Sequence, residues 1–278
     1  MKTLISKLFV ASNLVLLLLL ASCQNQHSGQ PHQPSEAYRD ETRDTLLFQK
    51  KIDLATQMQG KWVSDDYLSK IARSKSIYAH RKYSTQLLGF DLYKENLLSN
   101  EPYMAGFTEV EGGYRNYLEF DRNKTCFLND LNKHNVFPSI PKTFDLVFNN
   151  QTIEMHFPIE RITEYYRKID ASLETELRKL VTAGSYLAEG DSMPIVFTKE
   201  GQVNFLDFSS FKLVSNFGEG VEFDAIVFFN SPNPGHWYKG TLYKYEFQGR
   251  KLILHKIIAD WATYLHDIVP EEIVLVKQ

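Results

Sequence analysis

Residues 243–254, YKYEFQGRKLIL, contain the pattern that decides the fold. Aromatic residues alternate with charged ones over residues 243–247, the chain turns at Gln248-Gly249, and an apolar stretch follows over residues 252–254. Alternation with a period of two on both sides of a polar turn is typical of an antiparallel β-hairpin with one buried face. This segment therefore predicts a hairpin of a mainly β protein.

The same pattern occurs three more times, in residues 117–128, 144–157 and 195–206. In all four segments the first arm ends in phenylalanine, and the turns fall near residues 122, 150, 200 and 249, which is too uneven for a solenoid or propeller repeat. Single strands are predicted at residues 60–63, 222–229 and 273–276. About eleven antiparallel strands favour a closed barrel or a tightly folded β-sandwich, and closure removes exposed strand edges.

Two stretches have helical signals. Ser64 is a favourable N-cap before Asp65 and Asp66, and it predicts a short helix. The buried stripe of that helix is expected to contain Tyr67, Leu68, Ile71 and Ala72. Apolar residues three or four positions apart predict a longer helical insertion near residues 160–183, with Ser172 capping its second half and Gly184 ending it. Residues 158–170 are compatible with helix or strand, and residues 74–105 have mixed signals without an assignment.

The first 22 residues have the features of an export signal. Lys2 and Lys7 precede an apolar run of about 14 residues, shorter than the roughly 20 that a membrane-spanning helix needs. The run ends in Leu20-Ala21-Ser22-Cys23, which resembles the lipobox of bacterial lipoproteins. That resemblance implies cleavage before Cys23 and acylation of its sulfur and its new amine, so the membrane would be a partner through Cys23. An ordinary cleaved signal with a chance cysteine is the alternative.

The expected organisation is a signal peptide at residues 1–22, a flexible tether with a short helical segment at residues 23–59, and an antiparallel β domain at residues 60–278. Residues 24–40 are polar and contain Pro31 and Pro34, as expected for a tether. The formal net charge of −3 becomes −5 when residues 1–22, which carry two lysines and no acid, are removed. A basic face is not evident, so nucleic acid is not expected as a partner. Gln24 follows the cysteine in place of the aspartate that favours inner-membrane retention in enteric-type lipoproteins, so the outer membrane is expected.

Gly60-Lys61-Trp62 at the first strand, the run of hairpins and the late strand–turn–strand unit together resemble the lipocalin-like group. The resemblance implies structural roles for Gly60 and Trp62, with Trp62 closing one end of a barrel. In that family an arginine of the final strand often packs on this tryptophan, but residues 272–277 contain no arginine. The helical stretch near residues 160–183 would be an insertion into the family fold.

Catalytic and metal-binding motifs are not evident. The chain contains no His-Glu-x-x-His motif, no Gly-x-Ser-x-Gly motif and no phosphate-binding glycine-rich loop. We therefore predict no catalytic residue, no metal ligand and no cofactor, although a pair of carboxylates from distant strands stays open. Cys126, in a strand-like context, is expected to be a buried, inert thiol.

The loop at residues 230–238, NSPNPGHWY, is the most suggestive binding segment. Its prolines stiffen the chain, and His236, Trp237 and Tyr238 are candidate ligand-binding residues at a barrel mouth. The alternative is that these residues simply begin the next strand.

Three functions follow as hypotheses. The first is a lipid-anchored, non-enzymatic protein that binds a small or hydrophobic ligand in a β-barrel. The alternatives are an envelope enzyme acting on glycans, and an interaction or assembly lipoprotein without a ligand cavity. An apolar cavity would favour the first, two inward carboxyl groups in a cleft the second, and a filled interior with an exposed apolar patch the third.

Overall fold

The computed structural model of the protein describes residues 36–85, 87–107, 112–130, 133, 143–215, 217, 221–232, 239–260 and 265–278. The expected signal peptide, Cys23, and the three candidate residues His236, Trp237 and Tyr238 lie outside these residues. The chain divides into two units, Met1–Thr45 and Leu46–Gln278. The second unit contains all the β-structure described below.

Sixteen strands in the described part form two closed antiparallel barrels of eight strands each. In barrel one, each strand pairs with the next, and β8 closes the barrel by pairing with β1. Its strands are β1 (Gly60–Ser64), β2 (Gly89–Leu92), β3 (Tyr103–Phe107), β4 (Gly112–Asp121), β5 (Cys126–Asn129), β6 (Asp145–Asn149), β7 (Thr152–Phe157) and β8 (Ile162–Ile169).

Barrel two repeats this arrangement, and β16 closes it by pairing with β9. Its strands are β9 (Gly184–Ala188), β10 (Ile195–Phe197), β11 (Gln202–Phe205), β12 (Phe208–Leu213), β13 (Ala225–Phe229), β14 (Thr241–Gln248), β15 (Lys251–Asp260) and β16 (Leu265–Lys277). The fold is therefore mainly β and built from antiparallel barrels, as the alternating pattern predicts, but it contains two barrels in tandem.

The helices are few and mostly short. They are α1 (Glu36–Met58), α2 (Asp65–Ser74), a 3₁₀ helix (Tyr78–Thr85), α3 (Lys94–Leu97) and α4 (Leu173–Val181). At α2, the Tyr67 backbone N–H donates to Ser64 Oγ at 3.4 Å, so the predicted cap is confirmed. Of the predicted buried stripe, Tyr67, Leu68 and Ile71 are buried, whereas Ala72 is half-buried. Helix α1 occupies much of the segment for which a tether and a short helix were expected.

The four predicted hairpins are confirmed as β4–β5, β6–β7, β10–β11 and β14–β15. The single helical insertion near residues 160–183 is wrong in its first half, because residues 162–169 form β8. The spacing of apolar residues there suits either structure, and pairing with β1 and β7 on both sides decides for a strand. The second half is helix α4, where Ser172 Oγ accepts from the Thr175 N–H, whereas Gly184 begins β9.

Each barrel has its own apolar interior, and helices pack between the two barrels. The barrel one cluster includes Trp62 and Phe90, together with Met58 of α1. The barrel two cluster extends to the buried residues of α2 and α4, including Tyr67 and Leu177. A third cluster covers the outer face of β13, which is buried on both sides.

Candidate functional site

Trp62 lies at the closure of barrel one and is fully buried. Its indole Nε1 donates a hydrogen bond to the Met58 carbonyl at 2.8 Å, so burial leaves no unpaired donor. On the final strand, Lys168 is the Cα partner of Trp62, and Lys168 Nζ lies 5.9 Å from the centroid of the indole ring. Gly60 has φ of +145°, and a Cβ at this position would collide with the Lys168 side chain. The Gly-x-Trp segment therefore makes room for a cation from the last strand of its own barrel.

Barrel two has the same arrangement where its first and last strands pair, with a tyrosine in place of the tryptophan. Tyr186 is fully buried, and its hydroxyl donates to the Thr182 carbonyl at 2.8 Å. Lys277 is its Cα partner on β16, with Nζ 5.8 Å from the ring centroid. Gly184 has φ of +150°, and a Cβ there would lie 2.8 Å from Lys277 Cε. Both hydrogen bonds run from residue i to residue i−4, so the two closures repeat one local design.

This repetition revises the sequence interpretation of the final strand. Residues 272–277 belong to barrel two, and the partner of Trp62 is Lys168 of β8. The cation that faces Trp62 is therefore a lysine of the last strand of barrel one. The second closure has no recognisable signal in the sequence, because Gly184-Ser185-Tyr186 lacks the tryptophan that makes the first one visible.

The interior of barrel one contains the buried side-chain amide of Asn116. Asn116 is 1% exposed, and among the described residues neither its Oδ1 nor its Nδ2 has a hydrogen-bond partner. Strand alternation places Asn116 on the same face of β4 as Leu118, which belongs to the barrel one core. Leaving such a group unpaired in the interior costs about 1–3 kcal/mol.

The surroundings of Asn116 are apolar and include a position without a side chain. Its Cα partner on β3 is Met104, and Gly106 follows two residues later on the same face. A Cβ at Gly106 would lie 3.8 Å from Asn116 Nδ2 and 2.9 Å from Leu87 Cδ1. Asn129, 6% exposed, lies opposite Leu118 and adds a second amide to this wall.

The charge of the wall matters for what it can bind. Among the described residues of the barrel one strands, Asn116 and Asn129 are the buried polar residues, and none of the buried ones is Asp, Glu, His, Lys or Arg. The two buried amides can therefore form hydrogen bonds with a small molecule, but the buried described residues of these strands provide no charge for an ion pair.

The interior of barrel two is filled by aromatic rings around Phe228. Five rings lie with centroids 5.2 to 6.4 Å from that of Phe228, namely Phe197, Phe205, Phe208, Phe211 and Tyr243. Edge-to-face and offset contacts at these distances stabilise a packed interior. Barrel one also has paired rings in its interior, such as Phe90 and Tyr166 with centroids 4.8 Å apart, and it differs from barrel two by the buried amide of Asn116.

The loop that contains His236, Trp237 and Tyr238 begins beside barrel two. Gln202 Nε2 donates to the Pro232 carbonyl at 3.2 Å, and Ser210 Oγ donates to the Ser231 carbonyl at 2.6 Å. These contacts hold the first residues of the loop along β11 and β12. The binding role of the three candidate residues stays a prediction.

Cys126 is a buried thiol at the start of β5. Burial, with a smaller contribution from the Asp145 carboxylate, raises the pKa of Cys126 to about 11. A thiol that is buried and protonated at neutral pH is a poor nucleophile.

The described residues also bear on metal binding and on membrane-spanning helices. Groups of three or more His, Cys, Asp or Glu side chains placed to hold a metal ion are not found there. The helices in that part of the chain are too short or too polar to cross a membrane. Comparisons of the chain with family models, with curated proteins and with solved structures find no match.

Proposed function

We propose that the protein is a lipid-anchored envelope protein that binds a small, mainly apolar ligand inside barrel one without catalysing a reaction. The anchor is acylated Cys23, supported by the basic start, the apolar run and the Leu20-Ala21-Ser22-Cys23 segment. Two or more acyl chains hold a protein firmly to a bilayer, whereas one chain gives marginal binding. The outer membrane is the expected location, on its periplasmic or surface face.

The observation that carries the ligand proposal is the unpartnered amide of Asn116 in the barrel one interior. Buried polar groups in proteins nearly always have a partner, and exceptions are frequently functional or hydrated. A barrel of eight strands has an interior just wide enough for packed side chains or for one small ligand. Beside the amide, Gly106 contributes no side chain and Leu87 packs against it, while Met104 and Leu118 are apolar and Asn129 adds a second neutral amide.

Native mass spectrometry of protein purified from its own host tests this proposal. The wild-type protein is expected to carry a non-covalent adduct, and Asn116→Leu is expected to lose it because the amide that fixes the ligand is gone. Ser210→Ala in barrel two is the matched control and should keep the adduct, since Ser210 is buried but bonds to the Ser231 carbonyl. A folded Asn116→Leu protein that retains the adduct would place the ligand elsewhere. The His236–Trp237 double alanine variant then tests the loop beside barrel two.

An interaction or assembly lipoprotein is the second candidate, and two observations favour it. Aromatic rings fill barrel two, and apolar side chains are exposed on or beside β10 and β11. Met193 is 75% exposed and Leu206 is 69% exposed, and Leu206 has a left-handed φ of +51°. This candidate gains if wild-type protein carries no adduct. The glycan-enzyme alternative has no comparable supporting contact among the described residues.

A further inference from the structure

We infer that the ligand of barrel one has an uncharged head group that both donates and accepts hydrogen bonds, as a primary amide or a hydroxyl does. The inference rests on the proposed function, because it specifies the chemistry of a guest in the same site. It follows from two features of the wall around Asn116: the unpaired atoms of its amide and the charge of its surroundings.

The first feature is that both polar atoms of the Asn116 side chain need a partner. Nδ2 carries two N–H donors and Oδ1 is an acceptor, and neither is paired among the described residues. A carboxylate only accepts, so it would satisfy Nδ2 and leave Oδ1 unpaired. An ammonium only donates, so it would satisfy Oδ1 and leave Nδ2 unpaired. An amide or a hydroxyl can satisfy both atoms at once.

The second feature is the absence of a counter-ion in the described part of the wall. The inner face of β4 presents Leu118 beside Asn116, β3 presents Met104 and Gly106, and Leu87 packs against them. Asn129, opposite Leu118, is a neutral amide. Burying an isolated charge in such surroundings is far more costly than burying a hydrogen-bonded neutral group. The lack of a nearby charge and the unpaired donor and acceptor of Asn116 therefore both favour an uncharged head group that donates and accepts hydrogen bonds.

The test compares five small probes at pH 7.5 by isothermal titration calorimetry: hexanamide, hexan-1-ol, hexanoate, hexylammonium and toluene. They differ in head group, and toluene has none. The protein is the full mature chain in detergent, freed of co-purified ligand by organic extraction and refolding, with its circular dichroism spectrum compared with that of the untreated protein. The expected order places hexanamide and hexan-1-ol at least tenfold tighter than hexanoate and hexylammonium.

Variants assign the preference to Asn116. Asn116→Leu should weaken hexanamide and hexan-1-ol by at least tenfold and leave toluene unchanged or tighter. Asn116→Ala serves the same purpose if the leucine does not fold, and Ser210→Ala in barrel two should change none of the affinities. Equal binding of hexanoate and hexanamide to wild type, or hexanamide binding that is insensitive to Asn116, would overturn the head-group inference while leaving the binding function in place. Failure of all five probes to bind would overturn the binding function as well.

Discussion

Trp62 and Tyr186 are two different side chains in one structural position. Each is fully buried, donates to the carbonyl four residues earlier, and faces a lysine of the last strand of its barrel. An ammonium near an aromatic face contributes about 0.5–2 kcal/mol, depending on its hydration.

Replacement of Trp62 by alanine is expected to lower the free energy of unfolding by about 3–5 kcal/mol, as for other large core aromatics. The loss combines the transfer of the indole out of the core with the cavity that remains. Urea denaturation followed by circular dichroism measures it. Tyr165→Ala is the control, because Tyr165 is 53% exposed and should change stability by less than about 0.5 kcal/mol. A Trp62→Ala loss below about 1 kcal/mol would contradict the closing role.

Cys126 is expected to resist alkylation in the folded protein. Its buried thiol has a pKa of about 11, so the reactive thiolate is scarce at pH 8. Iodoacetamide labelling followed by peptide mass mapping should leave Cys126 unmodified in buffer and fully modified in concentrated urea. Equal labelling rates under the two conditions would show that the thiol is accessible in the fold.

The sequence identifies Trp62, the structural anchor of barrel one, but not the amide of Asn116 in its interior. Trp62 stands out because it is a large aromatic residue two positions after a glycine at the start of the first predicted strand. Asn116 gives no signal, because a polar residue in an alternating strand is expected on the outer face. Its inward position follows from the register of β4 against β3 and β5, which only the folded chain reveals.

At the element scale, Asp224 joins the segment after α2 to the start of β13. Its Oδ1 accepts hydrogen bonds from the Ile77 and Tyr78 backbone N–H groups at 2.7 and 2.8 Å, and from the Tyr245 hydroxyl at 3.4 Å. The connection between β1 and β2 of barrel one contains α2 and the segment after it. The Asp224 carboxylate therefore links this connection of barrel one to the start of β13 in barrel two. These hydrogen bonds give the two barrels a polar connection in addition to the apolar contacts that the barrel two cluster makes with α2.

Asp224→Ala is expected to destabilise the protein by about 1.5–3 kcal/mol, the usual cost of losing hydrogen bonds to a charged group. Asp224→Asn should cost less, because its amide oxygen can still accept from the two backbone N–H groups. Urea denaturation of the two variants beside wild type measures the difference. Equal losses in alanine and asparagine would mean that the charge, and not the acceptor geometry, carries the contact.

The elements that the sequence missed share a physical cause. Strands β2 and β12 contain few alternating residues, and β8 has apolar spacing that also suits a helix. Pairing with neighbours on both sides fixes such segments, and a single sequence does not contain that information. The capped helices α2 and α4 were predictable because Ser64 and Ser172 signal their starts locally.

In the molecule as a whole, the same local arrangement closes both barrels: a buried aromatic residue of the first strand faces a lysine of the last strand. The helix–Gly–strand entry and the lysine of the last strand recur in both barrels. Both interiors contain packed aromatic rings, and that of barrel one also contains the buried amides of Asn116 and Asn129.

Barrel two is expected to make the protein sensitive to alkali. Burial raises the pKa of Tyr186 to about 12 and raises the pKa of Tyr245 well above its usual value. Because these pKa values exceed the value near 10 of the unfolded chain, the stabilisation is complete below pH 10 and is lost as the pH rises toward 12. Urea midpoints at pH 8, 10 and 11 should fall in that order. Tyr186→Phe should flatten the decline between pH 10 and 11, whereas Tyr165→Phe, which alters an exposed ring, should leave it unchanged.

The attachment of the whole molecule to a membrane is expected to depend on Cys23. With Cys23→Ser, acylation has no sulfur to act on, so the protein should leave the membrane fraction and accumulate as a larger, uncleaved precursor. Cys126→Ser is the matched control, because it removes the chain's other cysteine and should still be processed and membrane-bound. Membrane fractionation followed by mass spectrometry of the N-terminal peptide separates these outcomes. A Cys23→Ser protein cleaved normally after Ser22, or a wild-type chain with unmodified Cys23, would show that residues 1–22 are an ordinary export signal. In that case the barrels would act as a released protein, and the ligand would be met in solution instead of at the membrane surface.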